Sequence, residues 1–271
     1  MKTTLLKSPA KINLTLKVIG FNKRLSKHKL SSKVSVLKLS DNIKISKAKR
    51  LSIKYFDDKK KLFIKNDIIK KTLEYFDKKY GTHSLFDITI NKNIPIGYGL
   101  GGGSSNAATI LKFLYDYNNI NTQNFNIDAP LIGSDVLLFK DKYSKVIDGL
   151  NDFKKINSKN PRWRKIYLLI PTQKNLTKKI FDLFKKNKNK IIKNQYSQND
   201  LLYASMIFNK EFRDLYSFID AKKSKLMLGG MSGSGSSIFL SFKVNSAEKH
   251  IINDIRVKYP LVRIEKSYYF S

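Results

Sequence analysis

The densest chemistry in this chain lies in one stretch, Pro95-Ile96-Gly97-Tyr98-Gly99-Leu100-Gly101-Gly102-Gly103-Ser104-Ser105, which holds five of its 13 glycines. Glycine takes positive φ and lets a ligand approach the backbone, while a helix start offers unpaired N–H groups and a positive dipole end. Together they make an anion cradle, and the commonest anion for such a cradle is a nucleotide phosphate. Two elements must hold it. Phe86-Asp87-Ile88-Thr89-Ile90 alternates apolar and polar residues, the pattern of a half-buried strand. Ala107, Ala108, Leu111, Leu114 and Tyr115 recur at helical spacing, with Ser104, Ser105 and Asn106 as candidate caps.

Several nucleotide motifs can be set against this loop. A Walker A loop ends in Gly-Lys-Ser/Thr, whereas Ser104 follows Gly103. Gly97, Gly99 and Gly102 match the dinucleotide pattern, and Asp116 stands at the distance that pattern asks. Asp116 falls on the helix after the loop, however, and not at the end of a second parallel strand. Protein-kinase catalytic-loop and Asp-Phe-Gly motifs are absent.

Elsewhere the chain mixes strands and helices without a steady βαβ rhythm. Residues 3–20 read as a strand pair interrupted at Ser8-Pro9-Ala10-Lys11, followed by a strand around 34–39 and short ones at 43–46 and 51–56. Asn66 to Tyr80 reads as a helix stopped by Gly81. Residues 118–130 read as polar and turn-rich, 151–164 as a linker, and 185–194 as a solvated lysine-rich loop. Then come a strand at 166–170, helices at 175–184 and 200–218, and a small-residue cluster at 229–237. A strand at 238–242, a helix at 247–259 and a strand at 261–264 close the chain. The fold class expected is α+β with two lobes.

Composition narrows the function. With 41% apolar and 12% aromatic residues the chain has the makings of a packed core. No cysteine is present, which excludes disulfides, thiolate catalysis and cysteine zinc sites. Lys2, Lys7, Lys11 and Lys17 break every early apolar run, so neither a secretory signal nor a membrane span is expected, and the location expected is cytoplasmic. The net charge of +32 suggests polyanion binding, but only seven of the 53 basic residues are arginine, the residue of base readout and bidentate phosphate contacts. The lysines spread over the whole length, as in a compositional bias, so no specific nucleic-acid partner is expected.

Three ordered segments together resemble the GHMP kinase superfamily of small-molecule kinases. Pro9-Ala10-Lys11-Ile12-Asn13-Leu14 is similar to its first motif, the Pro95 to Ala108 segment to its phosphate loop, and Met231-Ser232-Gly233-Ser234-Gly235-Ser236-Ser237 to its third. The triple glycine before Ser104 and Ile132-Gly133-Ser134-Asp135 resemble the branch that phosphorylates a cytidine-diphosphate-linked methylerythritol at its 2-hydroxyl. The resemblance implies an N-terminal lobe like ribosomal protein S5 domain 2 over 1–155 and a ferredoxin-like C-terminal lobe over 156–271. It also implies ATP and Mg2+ as cofactors, a small-molecule substrate, and a monomer or homodimer.

The same resemblance assigns roles. Asp135 matches the base that takes the hydroxyl proton, and Lys11 the cation that favours its ionisation and the charge on the moving phosphoryl group. Residues 95–105 would hold the ATP phosphates through backbone N–H groups, assisted by the Ser104 or Ser105 hydroxyl. For the acceptor, Asn13 lies near the methylerythritol, His28 bonds the cytosine, Phe181 stacks on it, and Thr177, Gly233 and Ser234 complete the pocket. The chain departs from the family in four places. Lys27 stands where an aromatic precedes the histidine, leaving a residue such as Phe21 to supply the second ring face, and the Gly20–His28 loop is one residue longer. Tyr98 occupies a small-residue position, and Gly149-Leu150-Asn151-Asp152 differs from the usual Gly-x-Gly-Glu. Taken singly, Asp135 is a cap or turn residue, Lys11 a surface charge, His28 a loop histidine and Phe181 core packing. The alternatives are a homoserine- or mevalonate-type kinase and a non-catalytic basic polyanion-binding protein.

Overall fold

The computed structural model describes residues 3–24, 27–150, 152–156, 160–187 and 198–271. In chain order its elements are β1 (Thr3–Asn13), β2 (Lys17–Asn22), β3 (Lys27–Lys47), β4 (Ser52–Asp57), β5 (Lys60–Leu62), α1 (Ile68–Tyr80), β6 (Phe86–Asn91), α2 (Gly102–Tyr117) and α3 (Phe125–Ile132). They continue with β7 (Lys145–Gly149), β8 (Asp152–Lys155), β9 (Trp163–Ile170), α4 (Thr177–Lys186), α5 (Leu202–Phe208), α6 (Lys210–Asp220), β10 (Leu226–Met231), β11 (Ile238–Phe242), α7 (Asn245–Lys258) and β12 (Arg263–Phe270). Two units are built from these. The first takes residues from 1–11, 36–96 and 101–142, the second from 12–35, 97–100 and 143–271.

In the first unit the second half of β3 pairs antiparallel with β6, placing Ile43 opposite Ile90 and Ile45 opposite Ile88. Strand β4 joins β6 in parallel, and β5 closes the edge. Helix α1 begins where expected, because the Asp67 carboxylate accepts from the N–H groups of Ile69 and Lys70. It ends on Gly81 at φ 65°, which a glycine adopts without penalty. Ile69, Leu73 and Phe76 of α1 and Ala107, Ala108, Leu111 and Leu114 of α2 are fully buried. Asp128 on α3 ties the three helices together, for its buried carboxylate accepts from the hydroxyls of Tyr75, Tyr80 and Tyr115 and pairs with Lys79. Burial opposes its ionisation, but Lys79 and these hydroxyls outweigh it and hold the carboxyl below the usual range.

The second unit contains a β-α-β-β-α-β run, β9 to β12, with spatial order β10-β11-β9-β12 and antiparallel neighbours throughout. That order is ferredoxin-like, with α5 and α6 added to the first crossover. Its core joins Leu169, Ile238 and Leu240 of the sheet to Ile180, Phe212, Leu215, Ile251 and Ile255 of the helices. The first half of β3 carries β2 on one side and β7 with β8 on the other.

Six local readings change. Strand β1 runs unbroken through Ser8–Lys11, and β3 is a single 21-residue strand rather than separate pieces. Helix α3 forms within and just beyond the turn-rich 118–130 segment, despite Pro130, because Asp128 gathers four partners there. Residues 152–155 of the expected linker form β8, while 151 and 157–159 lie outside the described residues. The 200–218 helix is two, since Asn209 ends α5 and its side chain caps α6 by accepting from Phe212 N–H. The small-residue cluster begins inside strand β10. Residues 188–194 of the lysine-rich loop also lie outside the described residues.

Candidate active site

Each unit carries its own group of the expected site residues. In the first, β1 delivers Lys11 and the turn that follows α3 delivers Asp135, with Nζ and Oδ2 3.8 Å apart. The lysine side chain is 6% exposed and the aspartate 41%, so the cation is enclosed while the carboxylate faces solvent. Burial pushes the Lys11 ammonium below its ordinary value, and Asp135 offsets this only in part. Asp135 opens a 3-10 turn, Val136–Lys140, that is fixed by buried Val136, Leu138 and Phe139. Lys112 donates to the Phe139 carbonyl at 2.6 Å.

Gly101 joins this pair to the glycine loop. It caps α2 at φ 71°, and a Cβ there would lie 2.9 Å from Lys11 Cγ and 3.0 Å from Phe139 Cζ. No side chain caps the helix, so the first-turn N–H groups of Gly102, exposed Gly103 and half-buried Ser104 point outward without a side-chain acceptor. Ser105 is placed differently. It is fully buried, and its hydroxyl accepts from Ser8 at 2.8 Å. Pro95 and exposed Ile96 lead into the loop, behind buried Ile94.

Beneath the α2 start lies a polar network that sequence reading missed. Asp41 is fully buried and accepts from the N–H groups of Asn93 and Ile94, from Asn106 Nδ2 and from the Lys92 ammonium. Lys92 also donates to Asn106 Oδ1, and Asn106 donates to Ser8 Oγ. A Cβ on Gly102 would stand 3.2 Å from Lys92 Nζ. Only Asn106 carried a signal, and as a cap; its side chain turns inward instead.

In the second unit the loop residues 97–100 are gripped by the third motif. Ser232 Oγ donates to the Gly99 carbonyl at 2.9 Å and accepts from Asn13 N–H, and Ser237 Oγ donates to the Tyr98 carbonyl at 2.7 Å. Gly99 has φ 76°, and a Cβ on it would come within 2.3 Å of the Ser232 carbonyl. Leu100 is buried and anchors the loop. Gly233, at φ 59°, packs against Gly99, and a Cβ on it would be 3.5 Å from Asn13 Oδ1. Asn13 Nδ2 donates to Ser32 Oγ. Ser234 and Thr177 share a hydroxyl hydrogen bond of 2.9 Å.

Phe181 stands one turn beyond Thr177 on α4, and the His28 ring stacks on it at 4.3 Å and 15°. Phe21 lies opposite His28 in the β2–β3 register, with its ring 4.9 Å away and tilted by 58°. Exposed Lys27 pairs across to Asn22, outside this stack, while Lys185 Nζ sits 4.5 Å over the Phe21 ring. Nδ1 of His28 is buried and, among the described residues, makes no hydrogen bond. Burial lowers the His28 pKa, Lys185 lowers it further, and Asp182 acts the other way, the balance favouring the neutral ring.

The profile described as GHMP kinases N terminal domain matches residues 67–129. A 4-diphosphocytidyl-2-C-methyl-D-erythritol kinase of Pelagibacter ubique is 31% identical over 277 residues, covering 96% of each chain. That of Ureaplasma parvum is 29% identical over 270 residues, covering 92% of this chain and 98% of its own. The crystal structure of a 4-(cytidine 5'-diphospho)-2C-methyl-D-erythritol kinase matches with TM-score 0.75 at 19% identity, covering 99% of this chain and all of that one. A mevalonate kinase structure matches at 0.67 and 16%, so at this level the fold alone is shared. The chain belongs to the 4-diphosphocytidyl-2-C-methyl-D-erythritol kinase family of GHMP kinases.

Proposed function

We propose that this chain is an ATP-dependent kinase that phosphorylates the 2-hydroxyl of 4-diphosphocytidyl-2-C-methyl-D-erythritol, a cytoplasmic step toward isoprenoid precursors. The observation that carries the reading is the pairing of enclosed Lys11 with half-exposed Asp135 beside Gly101. A hydroxyl oxygen attacking the γ-phosphorus must lose its proton as the new P–O bond forms and the bond to the leaving ADP breaks. Asp135 receives that proton. Lys11 offsets negative charge on the reacting oxygens, where its low-dielectric surroundings strengthen the effect. Backbone N–H groups of the glycine loop carry the triphosphate, and Ser104 rather than inward-turned Ser105 is the hydroxyl free to assist.

Magnesium fits the donor set only as an ion carried by the nucleotide. Among the described residues there is no group of three His, Cys, Asp or Glu side chains able to hold a metal. The Ser104 hydroxyl and the half-exposed Asp135 carboxylate are oxygen donors that this chain would add. Mg2+ keeps most of its waters and phosphate ligands in such sites, and supplies neutralisation of phosphate charge when bound.

The acceptor's cytosine is read by His28, whose Nδ1 is buried without a partner among the described residues; for cytosine to stack on Phe181, with Phe21 as the second aromatic in place of the residue at 27, the His28 ring leaves the Phe181 face on which it lies here. Asn13, Thr177, Gly233 and Ser234 complete this half of the site. A coupled ADP-release assay with the cytidylylated methylerythritol tests the reading. Substrate-dependent turnover that free CDP inhibits is expected. Turnover of mevalonate or homoserine, indifferent to CDP, would overturn it.

A further inference from the structure

We propose that Lys174 is a phosphate-binding residue, whose ammonium grips the ATP triphosphate in addition to the backbone cradle; this rests on the kinase reading above. The segment that bears it, directly after β9, is held at almost every neighbouring residue. The Glu211 carboxylate on α6 accepts from Thr172 N–H at 3.0 Å, Thr172 Oγ1 at 2.7 Å and Gln173 N–H at 3.0 Å. The Gln173 carbonyl accepts from Asn209 Nδ2 at 2.9 Å and Ser236 Oγ at 2.8 Å, and Asn175 Nδ2 donates to the Ser234 carbonyl. The glycine loop docks on this fixed segment through Tyr98, the residue at which it departs from its family, whose hydroxyl donates to the Thr172 carbonyl at 2.9 Å.

Lys174 itself points out of that anchorage. It is exposed, and its stem lies against the loop at Gly97, where an added Cβ would stand 3.3 Å from Lys174 Cδ. Gly97, at φ 91°, supplies both the backbone conformation and the space for it. The ammonium is two bonds beyond that carbon, beside the Gly97 end of the glycine loop. Lysines are everywhere on this surface, but this one is set by a built segment over the glycine loop, and among the described residues it enters no ion pair. A compact ammonium with three donors suits a phosphate oxygen and needs no planar partner.

The reaction contains two phosphate chains, the ATP triphosphate and the diphosphate of the acceptor, so the test measures both. Calorimetric binding of ATP and, separately, of CDP to the full chain is compared for wild type, Lys174→Gln and Lys174→Arg at two salt concentrations. Expected for Lys174→Gln is roughly tenfold weaker ATP binding with a shallower salt dependence, since one charge-assisted contact is lost. Expected alongside are near-wild-type ATP binding by Lys174→Arg, unchanged CDP binding, and an unchanged melting temperature. Unchanged ATP affinity in Lys174→Gln overturns the proposal. Weakened CDP binding alone overturns it too, by moving the lysine to the acceptor's diphosphate. Equal loss in the Gln and Arg variants does so as well, because packing on Gly97 then accounts for the effect. Wild type that binds no ATP would sink the kinase reading itself.

Discussion

Lys11 and Asp135 face opposite demands, one enclosed and one in water, and that asymmetry predicts how each responds to change. Asp135→Asn keeps shape and removes the proton acceptor, so kcat should fall by about two to four orders of magnitude while calorimetry finds ATP affinity preserved. Retained turnover would remove Asp135 as the base. Lys11 titrates below its ordinary value because of burial. The folded chain therefore releases this proton at a lower pH than the unfolded chain, and between those two values the unfolded chain holds more protons. By linkage the Lys11 contribution makes stability rise with pH across that window, and below it the burial penalty is present in full. Lys11→Met should thus abolish turnover yet leave urea stability at pH 7 unchanged or higher. A clear loss of stability would show that the ion pair outweighs the desolvation of the lysine.

At the scale of elements, the start of α2 is the structure on which the proposed phosphate cradle depends, and two predictions belong to it. Gly101→Ala introduces a Cβ at positive φ and against Lys11 and Phe139, so loss of about 1–3 kcal/mol from backbone strain is expected, with more from the clash. Chemical denaturation checks the stability and the coupled assay the accompanying loss of turnover. Asp41→Ala leaves Lys92 buried beneath the same helix without its carboxylate, and should cost about 3–5 kcal/mol. The apolar double variant Asp41→Leu with Lys92→Met should recover much of that stability if the ion pair is chiefly a positioning device. Failure of the double variant to recover would assign the loss to the Asn93 and Ile94 N–H groups that Asp41 also satisfies.

For the molecule as a whole, a charge of +32 sets long-range behaviour more than chemistry. The chain should adsorb to a heparin column at low ionic strength and leave it as salt screens the exposed lysines. Binding that persists at high salt would point to a specific polyanion site. Among the described residues no helix is long and apolar enough to cross a membrane. Turnover measured along the same salt series should decline through the KM for ATP, the ligand with the most charge, more than through kcat.

Three ordered motifs made the family, the α+β class and the α1, α2 and β6 elements legible in the sequence alone. Each of these rests on local chemistry: helical spacing, a cap at Asp67, a stop at Gly81, and glycines where the backbone needs positive φ. What stayed hidden depended on partners distant in sequence. Helix α3 exists around an aspartate that reaches three tyrosines and a lysine, and β3 is one strand because different neighbours pair with its two halves. The same reason separates two serines that are adjacent and identical in type. Ser104 opens outward and Ser105 is drawn in by Ser8, 97 residues away. The sequence by itself determined which groups are present and in what order, because residue type and local spacing carry that chemistry. Only the tertiary structure decided that Lys11 is enclosed, that His28 lies on Phe181 and that Lys174 lies against Gly97, because burial and stacking are made by contacts no local pattern encodes.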